Sequence, residues 1–320
     1  MSNLDDLPFV SVIIPLFNEE AYVGLTLKAL QEVNYPRDLY EVIVVDNGST
    51  DRSREIASSF DVNLIEEPDL KVGGVRNAGA NVAKGDIFAF LDSDCLIQKE
   101  WISASVERLK TAEVGAVGGN GMLRPDPTWV ETAWVIDNFP IKSRVNSLGG
   151  GSFILTKQLF LQCGGFDPSL NAGEDTKLSK AITERGYQLE FVPSCAIIHL
   201  GFPTTVKAFC QRQYWQSSSY GKAKFNLIDK VFLLTVFTLF CLIACITLFA
   251  LSSPFSLYLL LPLLFNSTLL TTNRIFKARS RSIKLVFLLQ IALLDLLYLY
   301  SRVSGLAVSL FFDPFNKKAV

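Results

Sequence analysis

Two carboxylates lie one residue apart in the segment Phe90-Leu91-Asp92-Ser93-Asp94, at the end of an apolar run. Carboxylate oxygens are preferred ligands of hard divalent cations, so the pair is a candidate cation site. The alternative is structural: Asp92 would close a turn, and Asp94 would cap the helix that follows. A single Asp-x-Asp has little weight by itself in a chain of 320 residues. The position of the pair relative to other polar groups therefore has to decide.

The segments around this pair alternate between predicted strands and helices. Apolar, β-branched runs predict strands at 9–15, 40–46, 62–65 and 86–92, and helical patterns fall between them at 19–32, 52–60 and 74–83. This alternation predicts an α/β fold with an open, mostly parallel sheet covered by helices. Ligands bind such sheets beyond the carboxyl ends of the strands. We therefore expect Asn18, Glu19, Asp46, Asp92 and Asp94 to lie along one edge of the sheet.

The composition excludes several classes of function. A net charge of −1 gives no general attraction for nucleic acid. The six cysteines show no C-x-x-C spacing, so neither a zinc site nor a disulfide framework is indicated, and a reducing cytosol suits them. The first residues, MSNLDDLPF, lack the basic and apolar regions of a secretory signal. The first domain is therefore expected on the cytosolic side.

The second part of the chain has the composition of a membrane domain. Residues 231–251 and 255–272 carry no charge, and each is long enough to cross a hydrocarbon core of ~30 Å. Basic residues flank both ends of this predicted hairpin, which places both ends on the cytosolic side. We expect the segment 203–225, with Phe209, Trp215 and Tyr220, to lie at the membrane surface.

A third apolar stretch, 285–312, contains two charged residues. Asp295 and Arg302 are seven residues apart, nearly on one face of a helix. Charges at membrane depth are costly, so we expect these two to pair inside a bundle or to line a path for a lipid headgroup. The stretch either spans the membrane or lies along its surface.

Seven motifs resemble, in order and spacing, those of the family 2 glycosyltransferases, which are inverting, nucleotide-sugar-dependent enzymes with the Rossmann-like GT-A fold. They cover about the first 215 residues and read VSVIIPLFNEE, VIVVDNGSTD, GGVRNAGA, FLDSD, GGFD, GEDTKLSKAITERGY and QRQYW. The resemblance implies a GT-A catalytic domain at 1–225, followed by a membrane domain at 226–320. One departure is that Gln213 and Tyr214 stand where related enzymes often carry a second Arg.

The resemblance also implies a set of site residues. Asp175 is expected to be the general base, and a divalent cation, Mg²⁺ or Mn²⁺, is expected on Asp94, Asp92 and His199. Donor binding is assigned to Pro15, Glu19, Asp46, Arg76, Asp92 and Ser93. The acceptor or the diphosphate is assigned to Gly150, Gly151, Glu174, Arg212 and Trp215.

Several of these residues also have a structural interpretation. Asp46 would form an Asx turn with Gly48, Arg76 would be a surface residue at a helix start, and His199 would be structural. Gly150 and Gly151 would form tight turns. The acids of the pair 174–175 would complement a helix dipole, which does not exclude catalysis.

The resulting hypothesis is a membrane-anchored, metal-dependent, inverting glycosyltransferase of the hexosyltransferase type. It would sit in the cell inner membrane as a multi-pass protein with a cytosolic catalytic domain, using a UDP-, GDP- or dTDP-sugar. The acceptor would be a lipid-linked saccharide or a surface polysaccharide. The alternatives are a polyprenyl-phosphate hexose synthase and, in another class, a catalytically silent nucleotide-binding membrane scaffold.

Overall fold

The computed structural model describes residues 7–136, 143–170, 172–218, 230–251, 260–277 and 284–311. The chain divides into two compact units, Met1–Arg124 with Phe139–Gly201, and Pro125–Asn138 with Phe202–Val320. The predicted domain boundary at residue 225 lies outside the described residues and stays a prediction.

The first unit is an α/β structure whose elements are numbered along the chain. Its strands are β1 (Val10–Leu16), β2 (Tyr40–Asp46), β3 (Asn63–Glu66), β4 (Ile87–Leu91), β5 (Cys95–Ile97), β6 (Val114–Gly118), β7 (Gly121–Met122), β8 (Arg144–Val145), β9 (Ser152–Thr156), β10 (Gln188–Phe191) and β11 (Ile197–His199). Its helices are α1 (Val23–Gln31), α2 (Ser53–Ser58), α3 (Val72–Val82), α4 (Trp101–Leu109), α6 (Lys157–Gln162) and α7 (Glu174–Thr183).

Within the described residues, the main sheet has eight strands in the order β3-β2-β1-β4-β9-β6-β10-β8. Strands β3, β2, β1 and β4 are parallel, whereas β9 runs antiparallel to both β4 and β6. A smaller sheet has the order β5-β11-β7. The predicted mostly parallel α/β fold is confirmed, and the carboxyl ends of β2, β1 and β4 lie side by side.

The sheet is covered on both faces, which explains why its central strands carry buried apolar residues on both sides. In β1, Val12 and Ile14 pack with α1 and α4, whereas Ile13 packs with α3, α6 and α7. Helix α3 lies unusually close to the sheet, since a Cβ added at Gly79 would sit 2.5 Å from Cγ2 of Ile13. Small residues in α3 thus bring the following side chains near the strand ends.

The second unit is helical and consists of α5 (Trp129–Val135), α8 (Val206–Ser218), α9 (Lys230–Ala250), α10 (Leu260–Lys277) and α11 (Leu285–Phe311). Helix α5 arises within residues 124–148, a stretch of the sequence without a clean hydrophobic period. A capping box starts it: the Thr128 backbone N–H donates to Oε2 of Glu131 at 2.8 Å, and the Glu131 N–H donates to Oγ1 of Thr128 at 3.4 Å. The Thr-x-x-Glu spacing was the sequence signal for this helix.

The apolar side of α5 is buried within the second unit. Val130 and Ala133 belong to a buried cluster with Phe209 of α8 and Leu294 of α11. The ring of Phe209 is fully buried against these helices and offers no surface to a lipid, whereas the location of the segment 203–225 at the membrane surface stays a prediction.

Two of the described helices are long and apolar enough to cross a membrane, over Phe232–Phe249 and Leu285–Leu310. The predicted second span, 255–272, overlaps α10, which begins at Leu260, and residues 252–259 lie outside the described part of the chain. Buried Asn266 of α10 donates to Oγ1 of Thr238 at 3.2 Å. The predicted hairpin remains a prediction.

Asp295 and Arg302, expected as a possible pair, have different partners. The Asp295 carboxylate forms an ion pair with Arg274 and accepts a hydrogen bond from Oγ1 of Thr271 at 2.8 Å. Arg302 donates to the side-chain oxygens of Gln213 and Gln216, at 3.2 and 2.6 Å. With a rise of 1.5 Å per residue, the Cα atoms of Asp295 and Arg302 lie about 10 Å apart along the helix. Each side chain meets the partner nearest to its own turn.

Arg274 holds three helices of the second unit together, and its removal is expected to be costly. Besides the ion pair, its Nη2 donates to the carbonyls of Ala133 and Trp134 at 2.7 and 2.6 Å. We expect Arg274→Met to lower the free energy of unfolding by about 3–5 kcal/mol, because Asp295 would be left buried without a counter-charge. Thermal unfolding in detergent measures this. The double variant with Asp295→Leu should recover much of the loss, and an equal loss in both would contradict the assignment.

Candidate active site

The loops after β1 and β2 are joined by side-chain hydrogen bonds at the predicted edge of the sheet. Asn18, with a positive φ of 53°, accepts from the backbone N–H of Thr50 at 2.8 Å. The backbone N–H of Glu19 donates to Oγ of Ser53 at 2.7 Å. Pro15 lies in β1 beyond the last residue paired with β4, so its missing N–H costs no hydrogen bond there. The two loops thus form one wall.

Asp46 is fully buried at the end of β2 and binds its own loop. Its Oδ2 accepts from the N–H groups of Gly48 and Ser49, both at 3.2 Å. Arg54 places Nε 3.7 Å from the same oxygen. This geometry is the Asx turn given as the structural interpretation, and it gives Asp46 a role in shaping the loop. Its contact with a donor stays a prediction.

Asp94 and His199 come together although 105 positions separate them in the sequence. Strand β11 pairs antiparallel with β5, with His199 opposite Cys95, and this register places Nδ1 of His199 3.5 Å from Oδ2 of Asp94. The backbone around Asp94 is fixed on both sides, because Leu200 N–H donates to its carbonyl at 2.8 Å and Thr26 Oγ1 donates to the carbonyl of Ser93, also at 2.8 Å.

These side chains fit a divalent cation. Ligand atoms of Asp94, Cys95 and His199 lie within 4.8 Å of one another. A carboxylate oxygen and an imidazole nitrogen suit Mn²⁺, and the buried thiol, which the sequence had given no role, adds a softer atom beside them. Gly201 leaves room there, because a Cβ would lie 2.0 Å from Oδ2 of Asp94. Asp92 is the third predicted ligand, but its Oδ1 accepts a hydrogen bond from Nη2 of Arg76.

We expect Gly201→Ala to weaken cation binding by about 10- to 100-fold, because the added methyl would displace the Asp94 carboxylate. Titration of the purified protein with Mn²⁺, followed by electron paramagnetic resonance, measures this affinity. Gly149→Ala is the matched control, since nothing lies within 4 Å of a Cβ at that position. Equal affinities in the two variants would show that Asp94 is not displaced.

Arg76 lies inside the unit, with 4% of its side chain exposed. Its Nη2 donates to Oδ1 of Asp92 at 2.6 Å, and its Nη1 donates to Oε1 of Glu174 at 2.5 Å. Burial opposes the charge, but the two carboxylates outweigh it and raise the pKa of Arg76. The structural interpretation of Arg76 as a surface residue is therefore wrong. Helix α3 also begins at Val72, so Gly73 and Gly74 lie within its first turn and do not form a separate loop.

A side chain at Gly150 or Gly151 would meet close neighbours, Arg76 at the first position and Ile197 and Asp92 at the second. A Cβ at Gly150 would sit 2.5 Å from Nη2 of Arg76, and a Cβ at Gly151 would sit 3.2 Å from Oδ2 of Asp92. Both glycines are the central residues of a tight turn, in which the Ser152 N–H donates to the Gly149 carbonyl at 3.3 Å, so the tight-turn interpretation is confirmed although neither residue has a positive φ. Their predicted contact with an acceptor stays a prediction.

Glu174 and Asp175, at the start of α7, point to different partners, as adjacent helical positions must. Glu174 is buried against Arg76, and burial raises its pKa, although the guanidinium acts in the opposite direction. Asp175 is half-buried, and its Oδ2 accepts from the Gly150 N–H at 3.0 Å. Its Oδ1 accepts from the N–H of Thr176 at 2.6 Å. The carboxylate is therefore oriented by backbone donors and remains accessible.

The GGFD motif fixes the position of α7. Asp167 binds Nζ of Lys177 at 2.5 Å, and Lys177 holds the pKa of Asp167 well below its usual range. The predicted residues Arg212 and Trp215 lie on α8 in the second unit, where 55% of Trp215 is exposed. Their part in the site stays a prediction.

A mixed sheet of this order, with an acid pair after β4 and a second acid pair at the start of α7, defines a glycosyltransferase of the GT-A type. Residues 11–161 match the family model of Glycosyl transferase family 2, and residues 87–273 match that of Glycosyl transferase family group 2. The chain belongs to glycosyl transferase family 2.

Individual proteins agree with this assignment. Glycosyltransferase AglE of Haloferax volcanii is 32% identical over 245 residues, which are 73% of this chain and 79% of that protein. A dolichyl N-acetyl-α-D-glucosaminyl phosphate 3-β-D-2,3-diacetamido-2,3-dideoxy-β-D-glucuronosyltransferase of Methanococcus voltae is 25% identical over 250 residues, 69% of this chain and 74% of that protein. The mannosyltransferase PcManGT of Pyrobaculum calidifontis, solved with GDP-Man and Mn²⁺, has a TM-score of 0.59 at 20% identity, covering 97% of this chain and 89% of that one. This last likeness concerns the fold alone.

Proposed function

We propose that this family 2 enzyme is a metal-dependent, inverting glycosyltransferase that moves a sugar from a nucleotide diphosphate sugar to a lipid-linked saccharide or a surface polysaccharide. The observation that carries the proposal is the Asp175 carboxylate, held by the Gly150 N–H at 3.0 Å and accessible at the start of α7. An oriented, accessible acid of this kind suits a general base.

The donor side of the proposed site is the edge beyond β1, β2 and β4. Asp94 and His199 are the residues that would hold Mg²⁺ or Mn²⁺, and the bound ion supplies positive charge for the diphosphate leaving group. Ser93, between the two acids, has a carbonyl fixed by Thr26, so the turn that presents Asp94 is rigid before a donor arrives. The joined loops after β1 and β2, with Pro15, Glu19 and Asp46, would enclose the nucleotide.

On the acceptor side, Asp175 takes the proton from the attacking hydroxyl. The hydroxyl oxygen forms a bond to the anomeric carbon from the face opposite the diphosphate, and the bond from that carbon to the diphosphate oxygen breaks. The electron pair leaves with the nucleotide diphosphate, so a single displacement inverts the anomeric centre. Each oxygen of Asp175 accepts a backbone hydrogen bond, and Oδ1 also accepts from Oγ1 of Thr176 at 3.3 Å, so Oδ2 is the oxygen that keeps a further lone pair for the proton.

The proposed acceptor and location rest on the second unit and on the relatives. Two apolar helices of sufficient length follow the catalytic motifs, and basic residues flank the predicted hairpin. The Methanococcus voltae relative is named for a dolichyl-phosphate-linked sugar. We therefore place this enzyme at the cytosolic leaflet of the cell membrane as a multi-pass protein.

A donor screen tests the proposal directly. The full chain, purified in lipid nanodiscs, is incubated with UDP-, GDP- and dTDP-sugars and Mn²⁺, together with polyprenyl-linked saccharides or polyprenyl phosphate. We expect release of a nucleotide diphosphate only with a saccharide acceptor, and a product of inverted configuration by NMR. Transfer to polyprenyl phosphate alone would identify a hexose synthase instead. Nucleotide binding without any transfer would identify a silent scaffold.

A further inference from the structure

Arg76 connects two parts of the candidate site that are far apart in the sequence. Its guanidinium lies between Asp92, which follows β4, and Glu174, which opens α7, with N–O distances of 2.6 and 2.5 Å. All three side chains are largely buried, with 4%, 30% and 7% exposed for Arg76, Asp92 and Glu174. One positive charge therefore serves two carboxylates that would otherwise repel each other.

The surroundings confine the guanidinium further. Its carbon lies 5.4 Å from the centre of the Phe166 ring, and Gly150 approaches so closely that a Cβ there would lie 2.5 Å from Nη2. Gly150 is also the residue whose N–H binds Asp175. Arg76 is therefore linked to the proposed base Asp175 in two ways. It binds Glu174, which is adjacent to Asp175 in the chain, and it packs against Gly150, whose N–H binds Asp175.

If Arg76 turned away from Asp92 and Glu174 to bind a donor phosphate, both of these bonds would break. The buried Glu174 carboxylate would then lose its counter-charge, at a cost of several kcal/mol. The rigid fork of a guanidinium is suited to bridging two carboxylates at fixed geometry, which a lysine ammonium does less well.

We propose that Arg76 is a positioning residue that fixes the distance between the donor edge at Asp92 and the base on α7, and that it does so through Glu174. This inference rests on the proposed function for the roles of Asp92 and Asp175. Misplacement of a reacting group by about 1 Å costs on the order of 100-fold in rate, so loss of the link acts on turnover. Glu174 contributes as a hydrogen-bond acceptor for Arg76 and takes no proton.

The test compares Glu174→Ala with Glu174→Gln in the full-length enzyme. The alanine removes the acceptor but leaves Arg76 paired with Asp92, so the buried guanidinium keeps one counter-charge. The glutamine retains an oxygen in reach of Nη1. We expect Glu174→Ala to lower kcat about 100-fold with an unchanged KM for the donor, and Glu174→Gln to recover most of that loss. Equal losses in both variants, or a loss in KM alone, would overturn the positioning role.

Arg76→Lys and the double variant Arg76→Lys with Glu174→Ala complete the cycle. If both residues act through one link, the turnover of the double variant is no lower than that of the more impaired single variant. Additive losses would mean two independent roles and would contradict the inference. Glu184→Ala, an exposed acid just after the same helix, is the matched control and should retain wild-type turnover.

Hydrogen exchange separates this inference from the proposed function. In the protein without donor, backbone amides at 148–152 and 173–178 should exchange faster in Glu174→Ala and Arg76→Lys than in wild type, and at wild-type rates in Glu174→Gln. This readout requires no sugar transfer and still reports if a variant has lost activity through instability. Faster exchange in an enzyme that transfers no sugar would support the link and refute the function. Unchanged exchange would refute the link.

Discussion

Asp175→Asn is expected to lower kcat by about 10²- to 10⁴-fold while nucleotide binding is retained, because the amide accepts no proton from the attacking hydroxyl. In the wild type, the Gly150 N–H donates to Oδ2 of Asp175 at 3.0 Å. Asparagine keeps the size of the side chain and one oxygen that can accept this hydrogen bond. The loop and α7 should therefore keep their positions. Turnover is measured by release of nucleotide diphosphate, and donor binding by calorimetry.

The control for this experiment is Glu184→Gln, which alters an exposed acid immediately after α7 that pairs with Lys180 across one helical turn. It should have wild-type kinetics. If Asp175→Asn retains sugar transfer, another group removes the proton and the assignment of the base is wrong. If it loses donor binding as well, Asp175 contributes to the shape of the site and its effect is not specific to the chemical step.

Asp94→Asn is expected to remove the cation dependence of donor binding. Oδ2 of Asp94 lies 3.5 Å from Nδ1 of His199, and a neutral amide in its place presents a much weaker ligand to a hard cation. Affinity for Mn²⁺ should fall by more than about 100-fold, and affinity for a nucleotide diphosphate should fall with it. Wild-type binding should show the same loss when EDTA is added.

Asp38→Asn, at an exposed position of the first unit, is the control and should bind Mn²⁺ as the wild type does. Tight nucleotide diphosphate binding that is insensitive to EDTA and to Asp94→Asn would mean that the acid pair holds no metal. The two acids would then have the structural roles that an isolated Asp-x-Asp most often has.

The strand ends could be predicted because they depend on local patterns. The runs that became β1, β2 and β4 are continuous and apolar, and alternation with helices implies parallel pairing. Asp46, the last residue of β2, and Asp92, which follows β4, therefore had to lie at one edge of the sheet, on either side of the end of β1. A positional argument of this kind uses only nearby sequence.

The partners of the buried charged residues could not be predicted, because they come from segments that are distant in the sequence. Arg76 looked like a group available to phosphate, yet it is buried between Asp92 and Glu174, the latter 98 residues away. The pairing of Asp295 with Arg274 has the same origin. Spacing along the chain sets which residues share a helix face, but tertiary packing determines which charge each one meets. His199 was found through the family resemblance, and the register of β11 on β5 explains it.

Helix α5 has a practical consequence for anyone who shortens this enzyme. The segment 125–138 lies in sequence between the two parts of the catalytic unit, yet the apolar side of α5 is covered by α8 and α11. A chain cut after Gly201 would keep the whole main sheet but leave Val130 and Ala133 exposed to water. Exposed apolar surface of this kind promotes aggregation. A water-soluble version therefore calls for replacing 125–138 with a short polar connection, in addition to removing the apolar helices.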